Sequence, residues 1–433
     1  MPDPSISDDD VTRMTLLYLD RMRRQPPPRD IQDEVMRSIL APRQRRAIPI
    51  ARLVASGLVV VAIAVVASVA LVAHLSSPPT PGVWSIVSTS SSPSGSSGLS
   101  AITCVSVSDC WAAGYSFDQN GNARPLIEQN TGSGWRVVSS PSPSGSTDSE
   151  LQGLACVSAD DCWAVGYSIE ASGGSRQTLI EHYGGSGWGI VSSPNPSGST
   201  DTLLYGVACV GADDCWAVGL SAQGALMEHD GGGGWSIVSS PAAGSQLRAV
   251  TCVNASDCWA VGGSASNTFA EHYDGRGWSA VLSPVLSATG GGVLLSVSCA
   301  SAGDCWAVGV SVVATDKVQT LIEHYLGSGW GIVASPNRTD GSDSQLESVT
   351  CVSIGDCWAV GWFMDAANAL QTLIEQETGG GGWSIVSSPD HPGGAYTQLQ
   401  AVTCVGAGDC WAVGGPGDLA GQVVMQLTDQ SPS

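Results

Sequence analysis

The sequence predicts an all-β fold: a seven-bladed β-propeller with one disulfide in each blade, preceded by a single transmembrane helix and a short helical cytoplasmic segment. Three observations carry this expectation. A Cys/Trp signature recurs seven times, each recurrence contains four strand-like runs, and a charge-free apolar run lies near the N-terminus. Composition agrees, since 54 Gly, 15 Trp and 3 Phe among 433 residues suit short strands and turns rather than helices.

The N-terminal elements come first along the chain. Residues 1–52 carry ten basic and eight acidic side chains, and the remainder carries seven basic and 31 acidic, a net of −24. Two helices are expected over 8–24 and 30–40, separated by Pro26, Pro27 and Pro28, with Ile31, Val35 and Ile39 on one face. Residues 53–73 hold no charge, and 21 residues at 1.5 Å rise reach about 31 Å, a bilayer core. The span is therefore expected over 53–74, followed by a linker over 75–82. Arg37, Arg43, Arg45, Arg46 and Arg52 crowd its N-terminal side, which places that side in the cytoplasm and the C-terminal part outside. A cleaved signal peptide is the rival reading, but its apolar core and its leader would both be shorter.

The repeat occupies residues 83–428, leaving a tail at 429–433. The phrase D-C-W-A (S-D-C-W-A in places) puts a Trp at positions 111, 163, 216, 259, 306, 358 and 411, spaced by 52, 53, 43, 47, 52 and 53 residues. A second series, Trp84, Trp135, Trp188, Trp235, Trp278, Trp330 and Trp383, alternates with it, and Trp362 stands outside both. The four runs are of the types L-x-x-V-x-C-V, C-W-A-V-G, T-L-I-E-H-Y and W-S-I-V-S, with β-branched residues bounded by Gly, Pro and Ser. The longest connection, rich in Pro, Ser and Gly, follows the fourth run. It marks the crossover between blades, so the runs are ordered A (innermost) to D (outermost). Residues 83–88 form a D-type strand and 422–427 a C-type strand, so the chain's two ends are expected to complete one blade together.

All 14 Cys lie beyond the span, in seven C-x5-C pairs: Cys104–Cys110, Cys156–Cys162, Cys209–Cys215, Cys252–Cys258, Cys299–Cys305, Cys351–Cys357 and Cys404–Cys410. Zinc sites prefer closer spacing and four converging ligands, so local disulfides and an oxidising compartment are the expectation. Within each pair, residues 2 and 6 are expected to pair across a three-residue loop. Its last residue (Ser108, Asp160, Asp213, Ser256, Gly303, Gly355 or Gly408) would take the left-handed position.

Phrases of the type LIEHYDGxGWSIVSSP, with SSPNPSGS and CWAVG, resemble the kelch-like, galactose-oxidase-type propeller repeats of bacterial secreted or membrane-anchored proteins, and the G-x-G-W turn is similar to a degenerate Asp-box. The resemblance implies the fold and little about activity. A Cys–Tyr copper site of the galactose-oxidase kind needs a spare Cys, and the pairing leaves none. A sialidase-like site needs clustered arginines, whereas Arg124, Arg136, Arg176, Arg248, Arg276, Lys317 and Arg338 are scattered over the repeats. The two-helix segment before a single span is similar in layout to bacterial membrane-bound sigma-factor regulators, without their zinc-binding His and Cys.

A site must break seven-fold symmetry. The Asp before C-W-A recurs in every blade, which reads as a backbone hydrogen-bond acceptor. Glu128, Glu181, Glu228, Glu271, Glu323 and Glu375 recur in six, with Gln426 read as the seventh, and His182, His229, His272 and His324 read as interblade hydrogen-bonding groups. The second residue of strand A varies: Ser100, Gln152, Tyr205, Arg248, Leu295, Glu347 and Gln400. Variable polar and aromatic groups at a rim suit ligand binding, with Tyr205, Arg248, Glu347, Gln400 and Gln152 as candidates. Trp362, Phe363 and Met364, placed in the sixth B–C loop, form a possible contact patch. No catalytic residue, metal or cofactor is expected, and the acidic charge argues against nucleic acid. The expected function is a membrane-anchored binding module for an extracellular protein or glycan. A transmembrane regulator working through residues 1–50 with a cytoplasmic partner, and a glycan-active hydrolase or lyase, are the alternatives.

Overall fold

The computed structural model describes residues 82–428 apart from 88–96, 172–173, 242–243, 265–266, 285, 287–290, 315–316, 338–342, 368, 378, 390–396 and 417–421. The expected cytoplasmic helices, the span at 53–74, most of the linker and the tail lie outside the described residues, as does Arg338. Among the described residues no helix is long and apolar enough to cross a membrane.

The described strands form seven four-stranded antiparallel sheets. Blade 2 is representative, with A at Ser146–Ser158, B at Asp161–Glu170, C at Arg176–Tyr183 and D at Trp188–Val191. The A strands of the other blades are Ser97–Ser106, Leu203–Gly211, Gln246–Asn254, Gly292–Ser301, Ser344–Ser353 and Thr397–Gly406. Each A strand packs beside the next, and the seventh returns to the first, so these strands surround the axis. Val83–Ile86 supplies strand D of blade 7, pairing antiparallel with Val423–Thr428 through Trp84↔Leu427. The chain's first described strand thus closes the ring.

All seven disulfides are present, bridging directly paired residues with Cα atoms 3.9 to 4.1 Å apart. The hairpin between them differs from expectation. Ser106 rather than Val105 pairs with Asp109, and Val105 is extruded. The loop is therefore a two-residue turn beside a β-bulge, because the bulge absorbs the odd residue and lets the tighter turn match the strand twist. Gly355 takes a left-handed conformation (φ 82°), whereas Gly303 does not need one.

The cores lie between blades rather than within them. In C-W-A-V, Cys162 and Ala164 face blade 1 while Trp163 and Val165 face blade 3, as strand alternation requires. Each B-strand Trp meets the D-strand Trp of the next blade edge to face. The pairs run Trp111–Trp188, Trp163–Trp235, Trp216–Trp278, Trp259–Trp330, Trp306–Trp383, Trp358–Trp84 and Trp411–Trp135, with ring centroids 5.1 to 5.7 Å apart. All fourteen repeat tryptophans are used, one pair per interface.

A second interblade contact lies farther along strand C. The six repeated Glu are fully buried. Five accept a hydrogen bond from a Ser of the preceding blade: Glu181 from Ser140 (2.8 Å), Glu228 from Ser193 (3.0 Å), Glu271 from Ser240 (2.6 Å), Glu323 from Ser283 (2.5 Å) and Glu375 from Ser335 (3.2 Å). Glu128, at the seam, accepts from Gln422 Nε2 (2.6 Å). The seventh position is Met425, not Gln426. Met425 pairs with Ala412 as Glu128 pairs with Ala112, and Ser388 Oγ meets its Sδ at 3.9 Å. Burial raises Glu181 and Glu375 to about 7 and Glu228 to about 8, raises Glu323 as well, and the Ser bonds offset it in part.

Two outcomes follow. Trp84→Ala, which opens a cavity at the seam, should destabilise the propeller by about 3–5 kcal/mol in denaturant titration, and an unchanged midpoint would argue against closure by this strand. The second concerns pH. A carboxyl raised on folding carries no penalty below the ordinary Glu range, where it is protonated both folded and unfolded. The penalty grows as pH rises towards 7–8 and is constant above. The melting temperature should therefore fall between pH 5 and pH 8. Glu228→Gln should flatten that slope and stabilise the protein at pH 8 by roughly 1–3 kcal/mol. A steeper slope in the variant would contradict this account.

Candidate functional site

The variable position of strand A has a structural basis that the repeat phrase does not reveal. Ladder register shifts between Leu99 and Ala101, Leu151 and Gly153, Leu204 and Gly206, Leu247 and Ala249, Leu294 and Ser296, Leu346 and Ser348, and Leu399 and Ala401. Ser100, Gln152, Tyr205, Arg248, Leu295, Glu347 and Gln400 are thus the extruded residues of seven β-bulges. All seven are half-buried, while each preceding Leu is buried in an interblade core. A bulge re-aims a side chain. Here it frees one residue per blade from packing, near the start of the innermost strand, at the end of the channel that carries the D–A and B–C connections.

Two residue choices support the bulge. The Gly of C-W-A-V-G packs under it: at Gly114, Gly166, Gly219, Gly262, Gly309, Gly361 and Gly414 a Cβ would overlap the strand-A carbonyl oxygen two residues before the extruded one. The residue after the bulge is Ala, Gly or Ser in every blade. A Cβ on Gly153 would lie 2.8 Å from the Tyr205 carbonyl oxygen, so neighbouring inner strands touch there. Ser296 Oγ accepts from Val349 N (3.1 Å) and Ser348 Oγ from Val402 N (3.2 Å), tying inner strands of successive blades. The phrase L-x-[A/G/S], present seven times, was the available signal for this constriction.

The mouth above it has unlike sectors. Glu347 Oε1 accepts from Gln345 Nε2 (2.6 Å) and from Trp362 Nε1 (3.0 Å). Trp362 is 7 % exposed and, with the half-buried Phe363 and Met364, ends strand Asp356–Met364 instead of occupying a loop. The three do not form an exposed patch; Trp362 positions Glu347. Gln152 donates to Glu150 Oε2 (3.3 Å). On the adjoining blades 3 and 4, the Arg248 guanidinium lies over the Tyr205 ring, 4.1 Å from its centroid. Gln400, Ser100 and Leu295 complete the ring.

The repeated polar residues have other work. Each His bonds to the Asp before C-W-A of its own blade, through Nε2 and Oδ1: His182–Asp161 2.8 Å, His229–Asp214 2.9 Å, His272–Asp257 2.8 Å and His324–Asp304 2.7 Å. The contact is within the blade, not between blades, because strands B and C place Trp163 opposite His182 with Asp161 two residues away on the same face. Each His also stacks on its B-strand Trp, 3.6 to 4.4 Å between centroids. In blade 1, Gln129 replaces His and donates to Asp109 (3.2 Å). In these five blades the Asp therefore serves a side chain rather than the hairpin backbone.

The Glu residues titrating near neutrality resemble general acids, yet each is sealed in a separate interface. Among the described residues no three His, Cys, Asp or Glu come together as a metal site. Arg124 pairs with Asp118 (2.9 Å) and Arg176 with Asp201 (3.4 Å), on separate blades. A cavity of about 280 Å³ on blade 5, lined by Leu286, Val312, Ile332 and Asn337 among others, holds no ionisable group.

No family model matches the chain, and no curated protein does. Solved structures are similar to it. YCF48 bound to a D1 peptide has 12% identity and a TM-score of 0.51, over 82% of this chain and 98% of that one. U3-55K has 10% identity and a TM-score of 0.51, over 81% and 100%. A GH74 xyloglucanase from Xanthomonas campestris has 11% identity and a TM-score of 0.51, over 77% of this chain and 54% of that one. At these identities the likeness is one of fold, and the fold is the β-propeller.

Proposed function

We propose that this chain is a membrane-anchored, extracytoplasmic propeller that binds an external ligand at the mouth of its central channel. The observation that carries this is the bulge ring, seven side chains of six kinds kept out of the interblade cores at one end of an otherwise repetitive frame. Support for the anchor is the charge-free run 53–73 with five arginines before it. Support for an oxidising compartment is the full set of seven disulfides. Residues 1–50 then stand on the cytoplasmic side, and the kelch-like character of the blades rests on the repeat phrases. The fold suits several ligand classes, one similar structure being a peptide complex and another a xyloglucanase. Amide and aromatic side chains at the mouth favour a glycan, since they match hydroxyl groups and sugar faces.

Two measurements test the reading. External protease on intact cells should remove the propeller and spare an N-terminal tag; loss of the tag instead would reverse the topology. In a glycan and surface-protein screen with the full chain, any ligand retained should bind about tenfold or more weakly to Tyr205→Ala, and equally to Val107→Ala at the opposite end. A ligand indifferent to every mouth substitution would refute the assignment.

A further inference from the structure

Arg248 is the sole cation among the seven bulge residues. Beyond residue 52 the chain carries 31 acidic and seven basic side chains, so a carboxylate partner should be easy to supply. Arg124 and Arg176 have theirs, Asp118 and Asp201. Arg248 has none among the described residues, and its Nε is buried without any hydrogen-bond partner. Its recorded contact is the face of Tyr205, from the neighbouring blade. A partly buried guanidinium left without acceptors is unfavourable in the free protein, and buried polar groups are nearly always satisfied. Stacking on Tyr205 fixes the plane of the fork while leaving its hydrogen-bonding directions unused.

We propose that Arg248 and Tyr205 form the anion-recognising half of the mouth and take the carboxylate of an acidic sugar, a uronate. This rests on the binding-module reading above. The carboxylate follows from the guanidinium, whose planar fork matches a planar two-oxygen anion. A phosphate dianion suits the mouth less, because one cation in a strongly acidic propeller neutralises one charge. The sugar follows from the surroundings. Gln152 and Gln400 share the bulge ring with Arg248, and Gln246, Gln345 and Gln398 stand two residues before bulge positions on the same strands. Amides donate and accept at once, as hydroxyl groups require, and the Tyr205 ring offers an apolar face to a pyranose.

The test is calorimetric titration of the full chain with a glucuronate disaccharide, its neutral methyl ester, and an N-acetylated tripeptide with a free C-terminus. The free acid should bind about tenfold or more tightly than the ester, the difference expected for one charge-assisted contact. Arg248→Gln should reduce the acid to the level of the ester, Arg248→Lys should keep part of the preference, and Tyr205→Ala should weaken both sugars. Each variant is first shown by circular dichroism to be folded at the temperature of the titration. Equal binding of acid and ester, or an unchanged preference in Arg248→Gln, overturns the proposal. Tighter binding of the tripeptide than of the uronate overturns the sugar assignment. A ligand that depends on Tyr205 but ignores Arg248 refutes this proposal and leaves the binding-module reading standing, whereas no ligand sensitive to the mouth refutes both.

Discussion

The edge-to-face contact between a B-strand Trp and the D-strand Trp of the next blade is the interaction on which the rest depends. A blade of about fifty residues is one twisted sheet with two apolar faces and no layer of its own to cover them. Its stability comes from its neighbours, so the side chain at each interface must be large enough to bridge two diverging sheets. Trp is the largest available, and its edge-to-face geometry adds about 0.5–1.5 kcal/mol beyond the area it buries. The His stacked on the B-strand Trp, held by the Asp beside it, fixes that ring in the orientation its partner needs.

The same logic explains where polar groups are tolerated. A ring in which every core is shared has as many interfaces as blades, so the seam must reproduce what the other interfaces contain. It does so with substitutes: Trp84 comes from the far end of the chain, and Gln422 bonds to Glu128 from the strand-C position from which Thr268 bonds to Glu323. The interblade carboxyl is kept protonatable by burial, which makes it a neutral hydrogen-bonding group at acid pH and a burden at alkaline pH. The disulfides contribute on a different principle. Each closes a loop too short to remove much chain entropy, so its main effect is to hold strands A and B together beside the bulge.

Much of the fold was legible because the repeat states it seven times. The period, the four runs, the cysteine pairing and the closing strand all follow from spacing. The misreadings share one cause, which is that register is not visible in a repeat phrase. The extruded residue near each Cys leaves no mark in the phrase, so spacing alone implies a hairpin loop one residue longer than the one that forms. Gln426 matches the repeated Glu in chemistry, although pairing puts Met425 at that position. The phrase likewise does not show that pairing of strands B and C puts His182 opposite Trp163, beside Asp161 of its own blade. At the candidate site, the symmetry-breaking positions could be named, yet their common status as bulges could not. Trp362 lies outside the Trp series, so nothing in the phrase marks it as buried, yet strand B of that blade runs through Met364 and includes it.

The bulge ring separates two kinds of information within one strand. The Leu before it and the small residue after it answer to the neighbouring sheets, while the extruded side chain stays out of the interblade cores and meets mainly other groups of the mouth. Mutational tolerance should be sharply partitioned at single-residue resolution, with a permissive position flanked on both sides by intolerant ones. A lineage carrying such a frame can exchange its recognition chemistry largely one blade at a time, with Tyr205 and Arg248 the pair that must change together.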